Sequence, residues 1–246
     1  MAYDGRGLKF GSVAEQYDRF RPSPPPEAAS IFADLHGVEL LEVAAGTGLW
    51  TRFLLQLGAS VTIVEPDDEM RAVLERRSPG VRALPGTAEM LPVADSSFDV
   101  VVVSSAWHWF EQPRATREMA RVLSDHGKLY VLWNVFSRDV AWLERLTELR
   151  ENPNDENARP RGWKATFLDD GEFVDAREIE LHWVWPRTAD QLISVFGTYS
   201  GALVKSDEDR LAMQEELRRR VEGIAVGGVV DVPMTLRGTV ATRSVR

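Results

Sequence analysis

The sequence predicts a doubly wound α/β fold: a seven-stranded, mostly parallel sheet with helices on both faces, one antiparallel edge strand, a small helical cap and an N-terminal arm. Three observations carry this prediction. Between Leu40 and Val135 short apolar runs alternate with amphipathic stretches, the rhythm of successive βα units. The run FDVVVVS, Phe98 to Ser104, is apolar without alternation, as a strand covered on both faces by helices must be. A turn of small residues, Ala44 to Gly48, directly follows the first apolar run, where the first crossover of such a sheet bends into its helix.

The elements follow in order. The proline cluster from Pro22 to Pro26 separates an arm, residues 1–26, from the body. Within the arm Phe10 and Tyr17 stand at helical spacing and share a face. Leu40–Ala44 reads as a strand, Leu49–Leu57 as a helix, Ser60–Glu65 as a strand, Asp67–Arg77 as a helix and Val81–Leu84 as a strand. Phe98–Ser104 is the fourth strand and Arg114–Leu123 an amphipathic helix, with Gly127 in the turn before the strand KLYVLWNV. After Val135 the rhythm changes. A helix near Asp139–Arg150 precedes the polar stretch ENPNDENARPRG, read as an exposed loop. AREIELHWVWP is strand-like, a helix starts near Ala189, and another runs from acidic residues at Asp207 to the arginines Arg218, Arg219 and Arg220. That charge order suits the helix dipole, so the arginines read as a solvated helix end rather than a phosphate site. A last strand covers Pro233–Arg243. The two late strands extend the sheet, and the helices between them form the cap.

Composition bounds the function. With 246 residues and 44% hydrophobic content, the chain can bury a real core. It has no apolar run of membrane-spanning length, and its first ten residues lack the apolar centre of a secretory signal, so a cytoplasmic, non-membrane location is expected. A net charge of −9 repels nucleic acid and anionic lipid. Zero cysteines exclude disulfides and thiol chemistry, and the four histidines, His36, His108, His126 and His182, are too dispersed for metal-ligand spacing. No metal is expected.

EVAAGTG, Glu42 to Gly48, followed by Glu65 at the end of the second strand, is the pattern that asks for a ligand. Either ligand considered places a ribose on Glu65, whose carboxylate accepts from two hydroxyls. A dinucleotide site needs a third glycine for helix–strand packing, and Thr51 stands at that position. Nor does a pyrophosphate account for Glu42. A buried carboxylate without donors is costly, so Glu42 needs partners from backbone, water or a cationic ligand.

In these residues the chain resembles the class I S-adenosylmethionine-dependent methyltransferases, in their small-molecule branch (methyltransferase type 11-like). Their first motif is an acid, small residues and then G-x-G, matched by Glu42, Val43, Ala44, Ala45, Gly46, Thr47 and Gly48. Ala44 stands where the family has glycine, which suits alanine only where φ is not positive. FGSVAEQYDRFRPSPP resembles the family's opening arm, VEPDDEM its second motif, PGTAEMLPVADSSFDVVVVSSAWHWF its adenine segment and fourth strand, and REMARVLSDHGKLYVLWN its approach to the fifth strand.

The resemblance implies a Rossmann-like single domain over residues 1–246: an arm or lid at 1–26, a cofactor-binding core at 36–135, and a C-terminal part at 136–246 with the cap helices and last two strands. It implies S-adenosylmethionine as cofactor, held by Glu42, Ala44, Gly46, Thr47, Gly48, Glu65, Pro66, Met70, Thr87, Ala88, Glu89 and Ser104, with Tyr17 and Arg21 closing over it from the arm. A small molecule is the expected methyl acceptor. His108, next to the fourth strand, is the candidate base, with an ordinary pKa of about 6.5; a packing histidine is the alternative. Trp107 and Trp109 read as an acceptor wall or as core, and Phe196 and Tyr199 as pocket lining or packing; Trp163, Trp183 and Trp185 also fall in the region that sets the acceptor. Glu65, Glu89 and Asp67 each have a plainer reading as surface acids. A nucleic-acid methyltransferase is disfavoured, since Ser104, Ser105, Ala106 and Trp107 replace the Asn/Asp-Pro-Pro-aromatic motif of base-amino methylation. A nicotinamide-dependent oxidoreductase and a cofactor-binding protein without methyl transfer remain as alternatives from other classes.

Overall fold

The computed structural model describes residues 6–149, 171–203 and 205–245. Seven strands form one sheet: β1 (Glu39–Val43), β2 (Ser60–Val64), β3 (Arg82–Leu84), β4 (Phe98–Ser104), β5 (Leu123–Phe136), β6 (Phe173–Thr188) and β7 (Val229–Arg243), in the order β3-β2-β1-β4-β5-β7-β6. β1 to β5 pair in parallel, and β7 runs antiparallel to both neighbours. The sheet is the mostly parallel one expected. Its antiparallel member lies at the expected end, one place in from the β6 edge. The reversal at β1, where the chain winds first one way and then the other, is the switch point at which sheets of this class bind ligands.

Helices α1 (Ala14–Phe20), α2 (Leu49–Gln56), α3 (Asp68–Arg77), α4 (Gln112–Val122), α5 (Ala141–Glu148), α6 (Ala189–Gly197), α7 (Ser200–Leu203) and α8 (Asp207–Glu222) complete the described fold, with short 3-10 turns at Arg6–Val13, Pro26–Ile31 and Trp107–Trp109. Local chemistry fixes several ends. Asp67 caps α3 by accepting from the backbone N–H of Glu69 and Met70, and Thr188 with Gln191 forms a capping box on α6. Three acids open α8 and Arg219 and Arg220 close it. Those arginines, with Arg218, are ion-paired to Glu216 and Asp190, so the structural reading of that cluster holds.

Apolar packing falls into distinct bodies. One face of the central strands meets α4 through Val101, Val103, Met119 and Leu129, and the other meets α2 through Val102, Leu54, Ile63 and Tyr130. A third body joins α5, α6 and α8 to the first half of β7 and makes the cap.

Several expectations change at element ends. Gly127 is not in a turn: β5 starts at Leu123 and carries it inside the strand, where a Cβ would lie 2.9 Å from the Ser124 carbonyl oxygen and 3.1 Å from that of Asp99. The irregular pairing between Phe98 and Val100 absorbs the extra residues. β1 ends at Val43, so Ala44 already belongs to the turn. β6 and β7 are longer than their apolar patterns because they pair along nearly their whole length. The expected loop at 151–162 and Trp163 lie outside the described residues.

Candidate cofactor site

Register places the candidate residues on one edge. Val43 pairs with Val64 on one side and Val103 on the other, so the turn after β1, Glu65 after β2 and Ser104 at the end of β4 emerge side by side. Gly46 and Gly48 hold φ of 59° and 80°, the left-handed region open to glycine. At Gly48 a Cβ would also lie 2.8 Å from Leu74 Cγ, whereas at Gly46 it would meet nothing within 4 Å. The turn is thus packed beneath and open above. Ala44 holds φ of 56°, so the condition for an unstrained alanine is not met. A non-glycine residue there costs about 1–2 kcal/mol.

Two carboxylates face this turn from beneath and beside it. Glu65 accepts from the backbone N–H of Gly46 at 2.7 Å and of Asp67 at 2.9 Å. Burial pushes its acid up to about 7 against the pull of those two donors. Glu42 is 2% exposed and accepts from the Thr51 hydroxyl at 2.5 Å. Burial drives it up to about 8; the Thr51 hydrogen bond opposes this, and the Glu65 charge adds to it. Thr51, at the missing third-glycine position, is thus the donor that Glu42 required.

The arm closes the same edge. Phe10 and Tyr17 meet edge to face at 5.8 Å, and with Ala14 they cover Met70 and Val73 of α3. Arg21 reaches the cap, donating to the Thr198 carbonyl at 3.1 Å with its guanidinium 3.7 Å from the centre of the Tyr199 ring and 4.9 Å from that of Tyr17. Burial raises the Tyr17 phenol, Arg21 lowers it, and the Tyr199 and Glu65 charges raise it further, so all four groups share one neighbourhood. Two buried polar atoms here have no hydrogen-bond partner among the described residues: Thr47 Oγ1 and Arg21 Nε. Native interiors match nearly all such atoms with protein, water or a ligand.

The remaining candidates divide. Pro66 is half-buried beside Glu65, Ala88 is buried, and Thr87 is exposed in the loop before β4. Glu89 accepts from the Glu111 backbone N–H at 2.9 Å and so ties that loop to the start of α4. Asp67 is not the surface acid of its plainer reading: it is buried and caps α3. Ser104 is half-buried at the end of β4. His108 and Trp109 are half-buried in the following 3-10 turn, their rings 4.7 Å apart, and Phe10 touches Trp109 at 6.5 Å. Of its two readings Trp107 takes the core one: it is fully buried in the α4-side core, while His108 and Trp109 after it stay half-buried. Phe196 likewise takes its packing reading, stacked on Phe136 at 5.5 Å inside the cap. Trp185 is core and Trp183 donates to Asn134. Asp18 and Arg52 went unnoticed in the sequence, since nothing in it pairs an arm residue with one on α2.

Comparison with known proteins bears on the family and the fold. A family model described as a methyltransferase domain matches residues 41–131, from β1 into β5. Over 212 residues the chain is 34% identical to the uncharacterized methyltransferase Rv3342 of Mycobacterium tuberculosis, covering 86% of this chain and 85% of that one. The chain belongs to the class I S-adenosylmethionine-dependent methyltransferases. This methyltransferase is also 32% identical over 122 residues to the malonyl-[acyl-carrier protein] O-methyltransferase of Pectobacterium atrosepticum, 48% of each chain. The fold recurs in a putative type II methyltransferase from Anaeromyxobacter dehalogenans, with a TM-score of 0.63 at 17% identity over 91% of this chain and 97% of that one.

Proposed function

We propose that this methyltransferase methylates a small organic molecule, with the cofactor held across the Ala44–Gly48 turn. The observation that carries the reading is the conjunction at that turn of two buried carboxylates, an open glycine face and two unpartnered polar atoms. When bound, S-adenosylmethionine supplies a methyl group on a positively charged sulfur, together with an ammonium, a carboxylate and a ribose diol. The residues present fit each of these. Glu65, at the end of β2, takes the diol; Glu42 and the Ser104 carbonyl serve the ammonium; Thr47 Oγ1 and the backbone at Ala44, Gly46 and Gly48 line the turn. Pro66, Met70, Thr87, Ala88 and Glu89 surround the adenine side, and Arg21 with Tyr17 supplies a cation and a hydroxyl from the arm.

Chemistry then follows from position. An acceptor held in line with the methyl carbon needs alignment and exclusion of water more than activation, because the sulfonium is already electrophilic. The arm, packed from Phe10 to Arg21 across this edge, provides the exclusion. Once methylated, an O–H or N–H acceptor would have a proton to lose. His108, next to the end of β4, is the base placed to take it. Trp109 and Tyr199 remain as acceptor-lining candidates, whereas Trp107 and Phe196 do not.

Support for a small acceptor comes from the acidic surface and from the absence of the base-amino motif after β4, and the name of the Pectobacterium relative specifies O-methylation of a small malonyl group carried on an acyl-carrier protein. The test is mass spectrometry of a metabolite panel incubated with the protein and S-adenosylmethionine. A metabolite, free or carried on an acyl carrier, gaining one methyl group is expected; methyl transfer confined to nucleic acid or to protein side chains would contradict the reading.

A further inference from the structure

We propose that Asp18, on the arm, is a positioning residue for the cofactor turn and acts through Arg52 of α2. Asp18 Oδ1 meets Arg52 Nη2 at 2.7 Å and its Oδ2 meets Arg77 Nε at 3.1 Å, with the Asp18 side chain only 8% exposed. The other branch of the Arg52 guanidinium, Nη1, donates at 3.0 Å to the carbonyl of Thr47, in the middle of the turn. One guanidinium therefore has two anchors, an arm carboxylate and a turn carbonyl. Its charge also bears on Glu42 beneath the turn, favouring the ionised form. The neighbouring Tyr17 faces the α3 apolar patch, so adjacent arm residues deliver a ring to one side and a carboxylate to the other.

The consequence is linkage. Without the arm carboxylate, Arg52 loses the anion that orients it and its hold on Thr47 weakens; conversely, a ligand that orders the turn favours the docked arm. Such coupling is reciprocal. A groove of about 580 Å³ between α1, α2 and α3 opens onto the clasp, so water can solvate an asparagine placed there. Asp18→Asn keeps the size of the side chain and one acceptor oxygen while removing the charge and the second acceptor, so it tests the link with little change in packing.

The proposal rests on the reading of this turn as the cofactor site. Its test is calorimetric titration with S-adenosylhomocysteine of the wild type, Asp18→Asn, Arg52→Gln and the double variant, with melting curves confirming that each is folded. Each single substitution is expected to weaken binding roughly tenfold, within the usual range of such coupling. The double variant should bind no more weakly than Arg52→Gln alone, because both changes break one link. Wild-type-like binding by Asp18→Asn, or multiplied losses in the double variant, would overturn the positioning role while leaving the cofactor reading intact. If Asp18→Asn fails to fold, wild-type affinity in Arg52→Gln overturns the role from the other partner, and a tenfold loss there supports it. No binding by the wild type would overturn the cofactor reading and this proposal together.

Discussion

Glu42 offers a prediction in which stability and binding move in opposite directions. The carboxyl is 2% exposed and its acid is raised from the ordinary 4.5 to about 8, chiefly by burial. The folded protein therefore keeps a proton that the unfolded chain has already released at pH 5. The stability this contributes is complete below about 4.5 and is lost as pH rises through about 8. At about 1.4 kcal/mol per pKa unit, the loss between pH 5 and pH 9 is on the order of 4 kcal/mol. Glu42→Gln keeps the acceptor for the Thr51 hydroxyl but cannot ionise, so it escapes that loss. For a chain of this size about 2–4 °C of melting temperature accompanies each kcal/mol. Scanning calorimetry of the two ligand-free proteins should show similar melting temperatures at pH 5 and a variant roughly 10 °C more stable at pH 9. Binding should move the other way, with the variant holding S-adenosylhomocysteine more weakly at pH 9, where the wild-type carboxylate faces the ligand ammonium. Parallel pH profiles for the two proteins would refute the claim that folding buries this carboxyl at the expense of its charge.

Other substitutions probe neighbouring parts of the molecule. Trp107→Ala removes a fully buried indole and should lower stability by about 3–5 kcal/mol in denaturant titration; a change in acceptor turnover with unchanged stability would restore it to the acceptor wall. Gly238→Ala would place a Cβ 2.1 Å from the Val131 carbonyl oxygen on β5. Soluble yield should collapse, or stability fall by about 3 kcal/mol or more, as the β5–β7 pairing is forced apart. At Ala44, with φ of 56°, glycine should stabilise by a few tenths of a kcal/mol, the relief of strain exceeding its added chain entropy, while valine should destabilise by about 2 kcal/mol, both read from chemical denaturation.

Much of this architecture was legible because a buried parallel strand leaves an unmistakable mark: VVVV in β4 and the repeated passage from apolar run to amphipathic helix. The glycine turn was legible for a related reason, since few residue types satisfy a left-handed turn, and Glu65 was legible as the acid that directly follows the apolar run of β2. Aromatic direction was not. In SSAWHWF adjacent residues point to opposite sides of a short 3-10 turn, so composition could not say that Trp107 goes to the core while Trp109 stays half-buried. Phe196 followed the same rule inside the cap. Ala44 showed the converse limit: the backbone accepts strain that a residue-by-residue expectation rejects, because Ala44 N is held to the Val64 carbonyl at 2.8 Å and the next residues must turn. Strand lengths were underestimated for β6 and β7, whose mutual hydrogen bonding continues past their apolar cores. Asp18 and Arg52 lie far apart in the chain, and their pairing emerges only once α1 lies across α2 and α3.

The placement of the cofactor meets its most direct test in a crystal grown with S-adenosylhomocysteine. The expected result is the nucleoside across the Ala44–Gly48 turn, both ribose hydroxyls on the Glu65 carboxylate, and the amino-acid end between Glu42 and Arg21. A nucleoside bound elsewhere, or Glu65 still satisfied by Gly46 and Asp67 alone beside an occupied crevice, would contradict it.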